Sequence, residues 1–323
     1  MVWIAFIVCG GALTYFSYYL CKEGVILSER AHISEGIIGM IFLAIATSFP
    51  EISTAATSVY FLDQVGLGYS DIIGSVLVNF MILLGVDYYS GKGRVLTEIS
   101  RTNRLTGVFV AVFVSIVLGA AVIRSRGYAL PSLMGIGVEN LVIVLAYVAA
   151  LRWLKDAENV PHDPAANKEP KWEIWSKFIV LLAIVMVLGA LMAKVGEQLV
   201  LTTGLSQTFT GALLLGFATS LPEIIVSAAA LRAGSLNMSV GNILGSNLFD
   251  VCIIPLLDAL HRAPILGTLT KGQILVTGIA LLMSVVFVAG SFIKRRTNTR
   301  LNWDTGAIFA IGFAGFVIVY FVR

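Results

Sequence analysis

Mostly apolar stretches of near membrane-crossing length alternate with short polar breaks along the whole chain. They start at Val2, Gly36, Ile72, Leu105, Ser132, Phe178, Gly211, Met238, Ile274 and Gly306. An α-helix needs about 20 apolar residues to cross the hydrocarbon core. The pattern therefore predicts an all-α membrane protein of about ten transmembrane helices. One break differs from the rest. Residues 152–177, from Arg152 through Pro161, Pro164 and Pro170 to Lys177, mix both charge signs with prolines and carry no apolar period. Such a segment reads as a solvated connection, and it divides the chain into a five-helix unit (1–151), a linker (152–177) and a second five-helix unit (178–323).

The two units repeat one another. Shifted by 172 positions, Gly39–Ser58 lies on Gly211–Ala230 with identities at Gly39, Leu43, Ala46, Thr47, Ser48, Pro50, Glu51, Ile52 and Ala56, nine of 20 positions. Apolar helices share Leu and Ala through composition, but not Thr-Ser-x-Pro-Glu. A second echo, at an offset of 171, places Gly74-Ser75 on Gly245-Ser246. Five spans per unit make the second copy enter the membrane from the opposite side, the inverted-topology construction of many secondary transporters.

The shared motif, Ala46-Thr-Ser-Phe-Pro-Glu51 and Ala218-Thr-Ser-Leu-Pro-Glu223, falls in mid-span. A carboxylate there costs several kcal/mol and needs a cation, a proton or water beside it. Proline has no N–H, so Pro50 leaves the carbonyl of Ala46 without its helical partner and crowds that of Thr47. Freed carbonyls are tolerated at that depth only where protein or a cavity covers them. Thr47, Ser48 and Glu51 stand at i, i+1 and i+4, which gathers two hydroxyls and a carboxylate near one helix face. These are hard oxygen ligands, suited to calcium, sodium or magnesium and not to thiophilic metals. A single copy is as well explained by a proline kink; two copies, each with a mid-span Glu, are not. In the next span of each unit Asp71, Ser75 and Asn79 are spaced i, i+4, i+8, and Asn242, Ser246 and Asp250 repeat the spacing. The Ser75/Asn79 and Ser246/Asp250 pairs extend the oxygen-rich region, with interhelical hydrogen bonding as the plainer alternative. Asp71 and Asn242 lie nearer a helix start, where N-capping or interfacial solvation is the expected role.

The remaining polar positions are read more plainly. Glu139 and Asn140, about seven residues into the fifth span, are expected to hydrogen-bond within the bundle. Asp87, Glu197 and Asp258 fall near span ends, where solvation suffices. His32, His162 and His261 lie in loops without ligand spacing, and Cys9, Cys21 and Cys252 read as small core residues. Pro255 is expected to kink the eighth helix, and Trp153, Trp172, Trp175 and Trp303 to anchor at the interface.

Composition agrees with a lipid environment. Of 323 residues 58% are hydrophobic and 13% charged, and the mean hydropathy is +0.90. The first apolar run lacks a basic leader and reads as a retained helix. With the N-terminus outside, the inner loops hold 16 of the 22 basic residues and the outer side six. The excess of inner Lys and Arg favours both termini outside, in an integral protein of the cell membrane. The small positive net charge is used up by these anchors and implies no nucleic acid. No nucleophile–base pair, phosphate loop or cofactor box is present, so neither catalysis nor a cofactor is expected.

The paired motifs, each followed by a Gly-Ser turn with Asn or Asp four residues after the Ser, resemble the alpha-repeats of the sodium/calcium exchanger family in the calcium/cation antiporter superfamily. Gly241-Asn-Ile-Leu-Gly-Ser-Asn-Leu-Phe-Asp250 is especially similar to the second-repeat pattern. The form resembled is the prokaryotic type, without a large regulatory loop. The resemblance implies Glu51 and Glu223 as central calcium carboxylates, assisted by Thr47 and Thr219. It implies Ser48, Ser75, Ser220 and Ser246 in flanking sodium sites, Asn79 and Asp250 at the centre, and the carbonyls of Ala44 and Gly216 as lesser ligands. The first and sixth helices would form a sliding gate. Two positions depart from the family pattern: Asp71 and Val76 stand where it resembles Asn. The Asn-Ala-x-Glu motif of the proton-coupled branch is absent from both repeats, which favours sodium coupling. The expected activity is antiport of sodium against calcium, with calcium, sodium and the lipid bilayer as partners and no protein partner implied. Proton- or potassium-coupled exchange, a cation channel, and a membrane receptor or scaffold are the competing readings.

Overall fold

The computed structural model describes residues 1–30, 44–91, 95–156, 172–293 and 302–322. Gly36 with the start of the second span, Gly39, Leu43, most of the linker with its three prolines, His32 and His162 lie outside the described residues. So do Lys92, Arg94, Lys168, Lys171, Lys294, Arg295, Arg296, Arg300 and Arg323.

The first half contains α1 (Val2–Arg30), α2 (Ala44–Thr47), α3 (Phe49–Tyr60), α4 (Val65–Ser90), α5 (Val95–Glu98), α6 (Arg101–Ser125) and α7 (Val138–Asp156). The second contains α8 (Trp172–Thr203), α9 (Gln207–Phe209), a π-helical turn (Thr210–Leu215), α10 (Gly216–Thr219), α11 (Leu221–Arg232), α12 (Leu236–His261), α13 (Lys271–Phe292) and α14 (Trp303–Phe321). Helix boundaries recur between halves. Both ends of α2 and α10, and of α3 and α11, are 172 residues apart, and both ends of α4 and α12 are 171 apart. Among the described residues eight segments are long and apolar enough to cross a membrane: most of α1, then α4, α6, α8, the run α9–α11, α12, α13 and α14. The pair α2–α3 and the 19-residue α7 are not among them.

Most helices begin before the apolar run that announced them. The starts are set by polar caps, which hydropathy does not register. Ser100 accepts from the amide of Asn103, Ser235 from that of Met238, and Thr270 with Gln273 forms a reciprocal capping box. The expectation of a span from Ser132 is corrected. Ser132–Leu133 and Ile136–Gly137 form a small antiparallel hairpin, turned by Met134 at φ 53° and Gly135 at φ 88°, and helix starts only at Val138. Glu139 is thus in the first turn of α7, where it forms an ion pair with Arg124 at 2.8 Å. α12 continues as helix past Pro255 to His261, which ends it and is not in a loop.

The helices sort into a centre and a periphery. In their most apolar windows α4 is 78% buried and α12 72%, whereas α1 is 28% and α8 22% buried. α4 and α12 pack on each other at the centre, and α1 and α8 pack together outside. The π-helical turn and α10 cross α4 at backbone contact: a Cβ on Gly74 would stand 2.2 Å from the carbonyl oxygen of Ala212. Small residues permit such approach in membrane bundles.

Asp87 and Asp258 correct a second expectation. Neither is solvated; both are fully buried. Asp87 accepts from Val95 N (3.3 Å), Asn302 N (2.8 Å) and Thr305 Oγ1 (2.8 Å). Asp258 accepts from Ile265 N (2.8 Å), Gly137 N (2.9 Å) and Asn140 Nδ2 (2.7 Å). Each aspartate ends a central helix, holds the loop that follows it, and ties in the last helix of the opposite half. Asn140 thus hydrogen-bonds within the bundle, as expected.

Candidate cation site

The two motifs break their helices at equivalent points. α2 stops at Thr47 and α3 starts at Phe49, with Pro50 in its first turn; α10 stops at Thr219 and α11 starts at Leu221, with Pro222 in the same place. Proline fits a first helical turn, because its missing N–H has no intrahelical partner there in any case. Ser48 and Ser220, at φ −87° and −83°, form the joints. Glu51 and Glu223 fall in the first turns of α3 and α11, at the positive ends of those helix dipoles. The π-helical turn lies directly before the second motif; such turns concentrate at functional sites.

All ten sequence-identified residues, Thr47, Ser48, Glu51, Ser75, Asn79, Thr219, Ser220, Glu223, Ser246 and Asp250, are fully buried. Two hydroxyl pairs join the halves crosswise. Thr47 Oγ1 meets Ser246 Oγ at 3.0 Å, and Ser75 Oγ meets Thr219 Oγ1 at 3.2 Å. Each motif threonine therefore touches the serine of the other half's central helix. Glu51 is near enough to Glu223, Asp250 and Asp71 for their charges to act on it. The hydroxyls of Thr47 and Ser246 face Glu223, and that of Ser48 faces Asp250. Yet no hydrogen bond of normal geometry reaches either oxygen of Glu51, Glu223 or Asp250, or the side-chain amide of Asn79, among the described residues.

No Lys, Arg or His side chain is among the buried residues described, so none of those residues places a buried cation beside these carboxylates. Nor does any group of three acidic, His or Cys side chains converge into a metal cage among the described residues. A bound ion would need a mixed shell of carboxylate, hydroxyl and carbonyl oxygens, as hard cations of variable coordination accept.

Three buried groups beside this set were not in it. Asp71 is not a cap: the helix starts at Val65, so Asp71 lies two turns inside α4, fully buried, with Oδ1 3.3 Å from Thr219 Oγ1. Its spacing from Ser75 and Asn79 was the signal that located it. Asn242 is likewise inside α12, donating to Ser227 Oγ at 3.0 Å. Cys21 of α1 is buried close enough to Glu223 and Glu51 to feel their charge; nothing in its sequence surroundings marked it.

The profile of the family described as "Sodium/calcium exchanger protein" matches residues 1–155 and 174–322. The chain belongs to that family. Among curated sodium/calcium exchanger relatives and others, an uncharacterized membrane protein of Methanocaldococcus jannaschii is 28% identical over 240 residues, 72% of this chain and 74% of that protein. A putative antiporter, CaxA of Alkalimonas amylolytica, is 21% identical over 304 residues, 91% of each. The inner membrane protein YrbG of Escherichia coli is 27% identical over 255 residues, 77% of this chain and 76% of that one. The solved sodium-calcium exchanger NCX_Mj, soaked with sodium and without calcium, superposes with a TM-score of 0.64 at 22% identity, covering 98% of this chain and 99% of its own. This exchanger-family chain therefore shares that fold.

Proposed function

We propose that this protein is a secondary active antiporter that exchanges sodium for calcium across a cell membrane by alternating access. Ten helices in two inverted five-helix repeats, joined by the 152–177 linker and with both termini outside, would frame the site. One observation carries the reading: three carboxylates, Glu51, Glu223 and Asp250, are buried among hydroxyls with no hydrogen bond of normal geometry and no buried cationic side chain among the described residues to satisfy them. Such charge needs a cation, a proton or water beside it in a low-dielectric interior, and the surrounding carboxylate and hydroxyl oxygens suit a hard cation.

Glu51 and Glu223, one from each half, act as the central calcium ligands, with oxygens of Thr47 and Thr219 completing the shell. Ser48, Ser75, Ser220 and Ser246 serve flanking sodium positions, and Asn79 and Asp250 close the centre. One calcium ion or several sodium ions neutralise the site, and the two compete for the same oxygens. A neutralised site can be closed from water and turned to the other side; a bare one is costly to occlude. Exchange follows from that difference.

The test is calcium uptake into liposomes holding purified protein, driven by an outward sodium gradient. Sodium-dependent uptake in the wild type, lost in Glu51→Gln and Glu223→Gln, is the expected result. Uptake that follows a proton or potassium gradient at fixed sodium assigns the coupling ion otherwise. Fast flux without any counter-ion identifies a channel, and absence of flux removes transport altogether.

A further inference from the structure

The two halves of the site differ at one position, and the difference is a charge. Asp71 of α4 and Asn242 of α12 stand at the same offset as the helices that carry them. Asn242 is an amide with work to do: its Nδ2 donates to Ser227 Oγ at 3.0 Å and to the backbone carbonyl of Glu223 at 3.5 Å. Asp71 has no equivalent set of partners. Its Oδ2 is fully buried without a hydrogen bond among the described residues. Its Oδ1 meets one donor, Thr219 Oγ1 at 3.3 Å. That hydroxyl has a single proton, and the carbonyls of Leu215 (3.1 Å) and Gly216 (3.5 Å) compete for it. Asp71 is therefore under-satisfied on both oxygens, in a region where no Lys, Arg or His is buried. Its charge acts on Glu51 and on Asp250, so it belongs to the same electrostatic site.

Resting on the antiport reading for its physiological meaning, the geometry points to Asp71 as a further cation ligand of this chain. With Ser75 Oγ and Thr219 Oγ1, joined at 3.2 Å, it makes the flank of the site beside α10 an anionic position for a monovalent hard cation of the sodium class. One carboxylate with two neutral hydroxyls offers one charge, which matches a monovalent ion; a divalent ion is better served where Glu51 and Glu223, one from each half, contribute with neighbouring hydroxyl oxygens. The flank around Thr47 and Ser246, with Asn242 in the corresponding place, lacks this added carboxylate. The site is therefore lopsided: sodium is held more tightly beside α10 than beside α2.

Equilibrium binding of radioactive sodium and calcium to the purified full-length protein tests this without requiring transport. Asp71→Asn, which installs the residue present at 242, is expected to weaken sodium binding about tenfold or more, a loss of ~1.4 kcal/mol. Calcium binding in the absence of sodium should change far less. Asp71→Glu, which keeps the charge, should retain most of the sodium affinity and separates a ligand role from misfolding. Sodium binding by Asp71→Asn equal to that of the wild type overturns the inference, as does a wild type that binds no sodium. Glu51→Gln reports on the other question: intact sodium-driven calcium uptake in that variant sinks the proposed function, whatever Asp71 variants do to sodium binding.

Discussion

At the scale of single residues the proposed cation site rests on four of the buried carboxylates, Glu51, Asp71, Glu223 and Asp250. Replacing Glu51 or Glu223 by Gln removes one charge and keeps the shape, so the fold should survive while calcium uptake falls roughly 100-fold or more, the effect of losing ~2.7 kcal/mol of ligand energy. Size-exclusion chromatography alongside the flux assay distinguishes a lost ligand from a lost fold. The crosswise hydroxyl pairs permit a finer measurement. Thr47→Val and Ser246→Ala each remove one partner of a 3.0 Å contact, at a cost of about 1 kcal/mol in stability. Because they remove the same contact, the double variant should cost less than the sum of the two. Additive losses in detergent unfolding would show that the contact contributes nothing. The motif was legible in sequence because its parts are local: a proline, two hydroxyls and a carboxylate within five residues. Asp71 was harder. Hydropathy places a helix start where apolar residues begin, at Ile72, whereas the backbone is helical from Val65. A helix turned towards a polar interior can carry Asp two turns in, and no hydropathy window distinguishes that Asp from a cap.

Elements in contact obey constraints of the same two kinds, close approach and satisfied backbone. Gly74 admits Ala212 at its surface, with the carbonyl oxygen 2.2 Å from where a Cβ would stand. Backbone cannot yield there as a flexible side chain could, so Gly74→Ala should lower stability by about 2–3 kcal/mol or prevent assembly, read as a lower unfolding midpoint in detergent. An unchanged midpoint would mean that the crossing of α4 with the π-helical turn is looser than described. Asp258 poses the complementary case. Alanine there strands the amides of Gly137 and Ile265 and the Asn140 side chain, a loss of roughly 3 kcal/mol, whereas Asp258→Asn, which still accepts, should lose less. Sequence gave no hint of these anchors because their partners are far along the chain: Asp87 is satisfied from residues 302 and 305, and Asp258 from 137 and 140. An acid near a span end is ordinarily solvated, and only the returning loop makes it structural. The hairpin before α7 escaped notice for a related reason: Leu133, Met134 and Ile136 are apolar enough to pass for membrane helix, although Gly135 at φ 88° turns the chain back.

Whole-molecule motion depends on how these anchors divide the bundle. Asp87 and Asp258 bind each central helix to the closing helix of the other half, so α4, α7, α12 and α14 are stitched into one unit across the repeat boundary. α1 and α8 are largely exposed and pack on each other; α8 is tied instead to α3, whose Ser53 and Thr54 hydroxyls donate to the carbonyls of Met186 and Gly189. The alternating access proposed above is therefore least costly as a slide of α1 and α8 over the stitched unit, which spares the buried hydrogen bonds of Asp87 and Asp258. Cys21 offers a direct way to block that slide. It lies on α1 in a buried apolar cluster with Ala46 and Val226, the latter on α11. With Cys9 and Cys252 changed to Ser, a Val226→Cys substitution sets a second thiol against the moving helix. Oxidative cross-linking should then abolish sodium-driven calcium uptake, and reduction should restore it, while sodium binding to the locked protein persists. Full uptake by the cross-linked protein would mean that α1 does not travel relative to α11 during exchange, and alternating access would have to be sought in the central helices, against the hydrogen bonds that Asp87 and Asp258 hold.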